Sequence, residues 1–299
     1  MTLQEAYYEQ KFENNFLRCK GVAFQTFFER LMGVAYKADF MACRPWGKQG
    51  DRKNDGFLKS ERRLFQVYAP NEMAATEAKA KINEDFIEAR KHWGSLFDKW
   101  TFVHNASDGL PPHVQKLMLD FEAANPKIKL ESWGLEELRV IFRKLSNDDK
   151  ASWFGPAPNE ETKNSLGFAD LQVVLEKIAT SPVAPMRPVH NVPPGKIEAN
   201  ALSEATEILI KQGMIKAYML DDFFSQYHDE TLAERLAEAF NAEYMRLRDH
   251  HLAPNNIFAE LQSWAGGVQR GTPEHQLAVL TVLAYYFERC DIFEEPRGE

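Results

Sequence analysis

Cysteine is scarce and badly placed for structural chemistry. Cys19, Cys43 and Cys290 are far apart, show no C-x-x-C spacing and leave an odd count, so neither a disulfide framework nor a zinc site is suggested and a reducing cytoplasm fits best. Long apolar runs are missing too. None approaches the roughly 18 residues that a membrane span needs, and residues 1 to 30 carry acids and aromatics from the start, so a soluble, unexported, cytoplasmic protein is expected. No Gly-x4-Gly-Lys-Ser/Thr loop occurs, so any ATP use must belong to a partner. Internal repeats are absent. A net charge of −8 excludes a chain that coats nucleic acid with an overall positive field.

What is present is enough for a large globular protein. The chain has 299 residues, 44% of them apolar, which can fill real cores in two domains or in one domain with an appendage. The charge is unevenly spread. Between residues 44 and 63 stand Arg44, Lys48, Arg52, Lys53, Lys59, Arg62 and Arg63 against only Asp51, Asp55 and Glu61, a basic island in an acidic protein. On composition alone that island could equally be a solvated hairpin with ordinary surface charge.

Periodicity divides the chain. Residues 3 to 36 are helical in pattern, as one helix or as two with a break near Gly21. "ADFMACRP" reads as a strand, "WGKQGDRKNDG" as a turn, and "FLKSERRLFQVYAP" as a short strand, a tip and a longer strand, which makes a three-stranded meander. A helix from Ala75 to about Leu96 follows, with Ile82, Phe86, Ala89 and Trp93 on one face. Strands in "KWTFVHN" and "KIKLESW" then alternate with helices in "PPHVQKLMLDFEAAN" and "LEELRVIFRKL". The order α-βββ-α-β-α-β-α predicts an α/β domain, a mixed sheet flanked by helices, over residues 1–160. Residues 161–195 read as a helix and a linker, with five prolines in "SPVAPMRPVHNVPPG", and residues 196–299 as an all-α domain.

The chemistry-bearing residues cluster in the meander. A divalent cation that acts on phosphodiesters needs oxygen ligands at the lip of a sheet. Asp55 opens the second strand beside Gly56, small enough to let a phosphate backbone approach, and Gln66 and Tyr68, two apart on the third strand, share a face. Glu29, on the preceding helix, could turn its carboxylate to the same edge. Elsewhere His250 and His251 are adjacent, a poor spacing for shared metal ligation, with Asp249 beside them as a local cap or pair. His104 and Asn105 end a strand in a loop that could reach substrate or simply turn. The last helix, with Tyr285, Tyr286 and Phe287, leans to an interface.

"FQTFFERLM", "GDRKNDG" and "LFQVYAP" together resemble the Mrr-type branch of the PD-(D/E)XK nucleases, and the order of elements is that of the restriction-endonuclease-like fold. The resemblance implies Glu29 as the helix acid, Asp55 as the principal metal-binding aspartate, Gln66 in place of the second metal acid, and Mg²⁺ or Mn²⁺ as cofactor. Tyr68 stands where that family places its lysine. A cation from Lys53, or from Lys79 or Lys81 on the next helix, could replace it; a tyrosine donor, or a domain retired from catalysis, are the alternatives. Asp51 is a turn residue or an outer support of the site. "KIEANALSEATEILIKQG", "FFSQYHDETLAERLAEAFNAEYMRL" and "LAYYFERCDIFEEP" resemble the C-terminal helical domains of effectors in ABC-three-component, or Lamassu, defence systems. This implies double-stranded DNA as substrate, an SMC-like ABC ATPase and a small middle subunit as partners, and activation on release or as a homo-oligomer.

Overall fold

The computed structural model describes residues 1–43, 53–179, 195–227, 231–266, 271–289 and 292–293. Asp51, most of the glycine-rich turn, the proline-rich stretch and all but Ile292 and Phe293 of "CDIFEEP" lie outside the described residues.

The helical start is two helices, α1 (Leu3–Arg18) and α2 (Gly21–Tyr36). Gly21 takes φ 51°, a left-handed turn that glycine adopts at little cost, and its N–H donates to the Ala69 carbonyl at 2.6 Å. Five strands follow in chain order across one sheet: β1 (Phe40–Ala42), β2 (Gly56–Leu58), β3 (Arg63–Tyr68), β4 (Lys99–His104) and β5 (Lys129–Trp133). β1, β2 and β3 form the antiparallel meander, while β3–β4 and β4–β5 are parallel. Parallel neighbours need crossovers, and α3 (Ala75–Trp93) and α4 (Pro112–Ala124) provide them. The mixed sheet with helical cover is therefore as expected.

Side-chain alternation sorts the two faces. Leu64, Trp100, Phe102 and Leu130 meet the α3 stripe of Ala78, Ile82, Phe86 and Ala89, with Val114 and Met118 of α4, in one core into which Trp93 and Tyr68 also pack. The opposite face carries Phe65, whose ring lies 5.2 Å from Phe28 of α2 and 5.1 Å from Trp133. Helix α5 (Leu135–Arg143) buries Leu138, Ile141 and Phe142, and packs against α2 and β5. Gly56 sits under the Phe40 ring, where an added Cβ would lie 2.6 Å from the ring carbons. Its smallness thus serves packing, which corrects its reading as a window for phosphate.

The chain divides into two compact units, Asn15–Ser146 and Met1–Asn14 with Asn147–Glu299. Where the sequence suggests boundaries at 160 and 195, the structure divides within α1 and at residue 146. The first fourteen residues join the helical unit through buried contacts: Tyr7 Oη donates to Gln276 Oε1 at 3.1 Å, and Tyr8 Oη to the Gly155 carbonyl at 3.2 Å.

That unit contains α6 (Asn147–Phe154), α7 (Glu160–Ser165), α8 (Phe168–Ala179), α9 (Lys196–Ala199), α10 (Glu204–Met214), α11 (Tyr218–Gln226), α12 (Leu232–Asp249), α13 (Pro254–Gly266) and α14 (Pro273–Arg289). Every residue of α14 from Gln276 to Phe287 is buried, as befits a helix apolar nearly all round with α7, α8, α10 and α13 packed on it. Tyr285, Tyr286 and Phe287 accordingly belong to the core, correcting their reading as an interface; Tyr286 packs on Phe240 at 4.8 Å and Phe287 on Phe293 at 5.6 Å. Among the described residues no helix is long and apolar enough to cross a membrane.

Candidate functional site

Asp55 lies just ahead of β2, level with the C-terminal half of β3, and is buried. Its N–H donates to the Phe65 carbonyl at 2.9 Å, which continues the ladder one step beyond the strand. Its carboxylate then closes on β3: Oδ2 accepts from the Val67 N–H at 2.7 Å and from Gln66 Nε2 at 2.8 Å. Oδ1 accepts from Gln25 Nε2 of α2 at 3.0 Å. Asn54 Oδ1 accepts the Gly56 N–H at 3.0 Å, a short local turn that presents Asp55 to the strand.

With its amide nitrogen spent on Asp55, Gln66 presents its other end. Gln66 is 4% exposed, and its Oε1 is buried without a hydrogen-bond partner. A buried carbonyl oxygen in that state costs free energy unless something satisfies it. Among the described residues no group of three or more His, Cys, Asp or Glu side chains could hold a metal ion. A hard cation next to Asp55 would therefore draw on the Gln66 amide oxygen, on water and on phosphate, a set that suits Mg²⁺ or Mn²⁺.

Gln25 of α2, which sequence reasoning missed, reaches Asp55 directly. Glu29, the expected acid, is half-buried one turn further along α2. Four-residue spacing puts the two on one face, a signal that could have nominated Gln25 alongside Glu29.

The three candidate lysines are not equivalent. Lys53 Nζ lies 2.7 Å from Glu84 Oε1 and 2.9 Å from Asp85 Oδ1, and Lys81 Nζ lies 3.1 Å from the same Asp85 oxygen. Asp85 is fully buried in the apolar stripe of α3, the second residue that sequence reasoning missed. A lone acid at i+4 from a lysine, inside an otherwise apolar face, is the signal that marked it. Burial would lower the Lys53 pKa, but the hydrogen bonds it donates to Glu84 and Asp85 outweigh it and raise the pKa above the usual range, so Lys53 is a fixed cation and not a base. Lys79, two residues from Lys81, faces elsewhere on the helix.

Tyr68 packs its ring 5.9 Å from Phe102, in parallel register with His104. Burial and the negative charge of Glu77 raise its phenol pKa, so at neutral pH it is a neutral donor. His104 is buried with Nδ1 unpartnered, and burial holds its pKa down at about 4 against the pull of Glu137. Its ring fills the space over Gly134, where an added Cβ would lie 2.8 Å from Cε1. Asn105 Nδ2 donates to the Pro70 carbonyl at 3.1 Å, tying two loops together. This pair holds the strand ends in place and does not reach outward.

Much of the basic island is neutralised internally. Arg63 is 4% exposed and bonds Glu131 and Thr101 at 2.6 Å and Glu61 at 2.9 Å, with its guanidinium 4.8 Å over the Trp133 ring. Burial would raise the Glu131 pKa, but hydrogen bonds from Arg63 and Lys129 override it and bring the value down to about 2. Arg62 bonds Asp98 at 2.6 Å and the Ser95 carbonyl at 2.9 Å. Arg44, Lys48 and Arg52 lie outside the described residues; at the hairpin tip Arg62 and Lys59 are both exposed, Arg62 paired with Asp98.

No curated protein and no solved structure matches this chain. Residues 169–294 match the family model of C-terminal domain 10 of the ABC-three-component (ABC-3C) systems. The matched residues run from α8 to just beyond α14, over most of the helical unit, and the match supports membership of this chain in an ABC-three-component system.

Proposed function

We propose that this chain is the effector of an ABC-three-component defence complex, and that its α/β unit is a metal-dependent DNA endonuclease. The observation that supports the chemistry is the buried, unpartnered Gln66 Oε1 beside the Asp55 carboxylate, an oxygen pair at the end of a central strand that a hard cation would complete. Asp55 and Gln66 would hold Mg²⁺ or Mn²⁺, with Glu29 as the reserve acid on α2; when bound, the cation would polarise the phosphate and help form hydroxide. Gln25 and the Val67 N–H orient the Asp55 carboxylate. Lys53, locked by Asp85, places a permanent positive charge on the turn next to Asp55, in the role of the lysine absent at position 68. Tyr68 offers one neutral O–H to a phosphate oxygen. In the complex, the helical unit would dock to an SMC-like ABC ATPase and a small middle subunit that restrain the effector until release or self-association, which also concentrates weakly basic surfaces on DNA.

The test is cleavage of supercoiled plasmid by the full chain across Mg²⁺ and Mn²⁺, with Mn²⁺ binding followed by calorimetry. Nicking that vanishes in Asp55→Ala together with cation binding is expected. An intact plasmid with cation binding indifferent to Asp55 would remove the enzyme reading. A second reading is supported by one observation: three N–H donors already occupy the Asp55 carboxylate, as in an aspartate that staples α2 and the turn to β3. On that reading the α/β unit is a retired nuclease that binds DNA or scaffolds the complex, and Asp55→Asn, which keeps the side chain's size and an accepting oxygen for the staple, would leave cellular protection against phage intact.

A further inference from the structure

Beside the turn that carries Asp55, a cleft of about 350 Å³ opens between the β1–β2 edge of the sheet and the end of α3. Its walls are Met41, Phe57, Trp93 and Leu96, and its margin holds Asn54, Lys59 and Arg62. Two of the wall residues are open, Met41 at 54% and Leu96 at 49% exposure, so part of the apolar lining faces solvent. The rim is positive. Arg62 is tied to Asp98, but Lys59 Nζ has no ion-pair partner among the described residues. Asn54 spends its Oδ1 on the Gly56 N–H, which leaves its amide nitrogen as a donor at the margin. The volume falls in the range of small-ligand sites. Flat aromatic walls, a free cation and an amide donor match a flat ring joined to an anion, which is the chemistry of a nucleotide.

We propose that this cleft receives an unpaired nucleotide of a DNA strand, its base against Phe57 and Trp93 and its phosphate toward Lys59. The proposal rests on the reading above that the α/β unit acts on DNA, and deepens it by naming the substrate class: frayed, overhanging or distorted DNA in preference to blunt duplex. Base–aromatic stacking is tolerant of sequence and serves a site that holds a strand without reading it. Asn54 precedes Asp55 directly, so a strand anchored in the cleft would run its next phosphate along the turn that bears the candidate metal site.

The experiment uses the full chain in EDTA, where no cleavage occurs, and oligonucleotides with 2-aminopurine in a single-stranded overhang or at the same position in a blunt duplex. The expected result is a fluorescence change and tighter binding for the overhang, both reduced roughly tenfold in Lys59→Glu and in Trp93→Ala. Because Trp93→Ala removes part of a packed side chain, Lys59→Glu at an exposed position is the variant that decides. Equal binding of overhang and blunt duplex, an overhang signal unchanged in Lys59→Glu, or a free mononucleotide that binds as tightly as the overhang would each overturn the proposal. Asp55→Ala separates the two ideas. If it retains base capture but no form of the protein cuts plasmid, the nuclease reading fails alone. If wild type cuts plasmid but captures no base, this inference fails alone.

Discussion

His104 shows how a single buried side chain writes itself into the stability of its unit. Its pKa is about 4 in the fold, where burial keeps the imidazole neutral, against an ordinary value near 6.5 when unfolded. Between those values the unfolded chain binds a proton that the folded chain refuses, so stability must fall as pH drops from about 6.5 to about 4. The single-residue loss is up to about 3 kcal/mol, from roughly 1.4 kcal/mol per pH unit. Urea denaturation across that window should show it, and His104→Gln should flatten the profile relative to wild type; equal slopes would mean that the ring finds a partner when charged. Glu131 acts in a lower window. Its carboxyl is held down at about 2, so the stability it adds is present above the unfolded carboxylate range and disappears only as pH falls towards 2.

Legibility at this scale followed chemistry type. Asp55 and Gln66 could be picked out because their identities and spacing within one hairpin are local properties. Gln25 and Asp85 could not, because each acquires its role from a partner that only the fold brings near: Asp55 for one, and Lys53 for the other.

Helices and strands were the most readable level. The α3 stripe and the β3 alternation are periodic signals, and both cores formed where those periods put them. Burial of whole helices was less readable. The period of α14 shows a helix, but its complete enclosure depends on which neighbours arrive, and the aromatic end that suggests an exposed docking surface is enclosed by α12 and by Phe293. A close approach in that packing is at Gly213 of α10, where an added Cβ would lie 2.5 Å from the Leu280 carbonyl oxygen and 2.8 Å from Ala284 Cβ. Gly213→Ala must therefore push α10 and α14 apart, and the expected loss is about 1–3 kcal/mol despite the better helix propensity of alanine. Thermal unfolding of the purified variant checks it, and an unchanged or raised midpoint would show that the two helices can slide.

At the scale of the whole molecule, the division of the chain is what sequence patterns could not disclose. A helix repeats its period whether it belongs to one unit or to two, and only remote contacts such as Tyr7 with Gln276 assign the start of α1 to the helical unit. A proline-rich stretch between two patterns looks like a hinge between domains, yet α6, α7 and α8 before it and α9 to α14 after it fall in one unit. A protease site introduced within residues 181–195 should thus yield two fragments that stay together on gel filtration under native conditions and part in denaturant. Fragments that separate natively would argue for the simpler two-domain arrangement.

Because residues on both sides of 15–146 fold into one unit, the α/β unit is an insertion with two covalent joints, one of them inside the continuous helix α1. Exchange of the α/β unit for another, by recombination or by design, then needs two crossovers and not one. A chimera made by a single cut near residue 160 would orphan the opening turns of α1 from the helices that bury Tyr7 and Tyr8. A cassette that enters after Asn14 and leaves before Asn147 would keep the recipient unit whole.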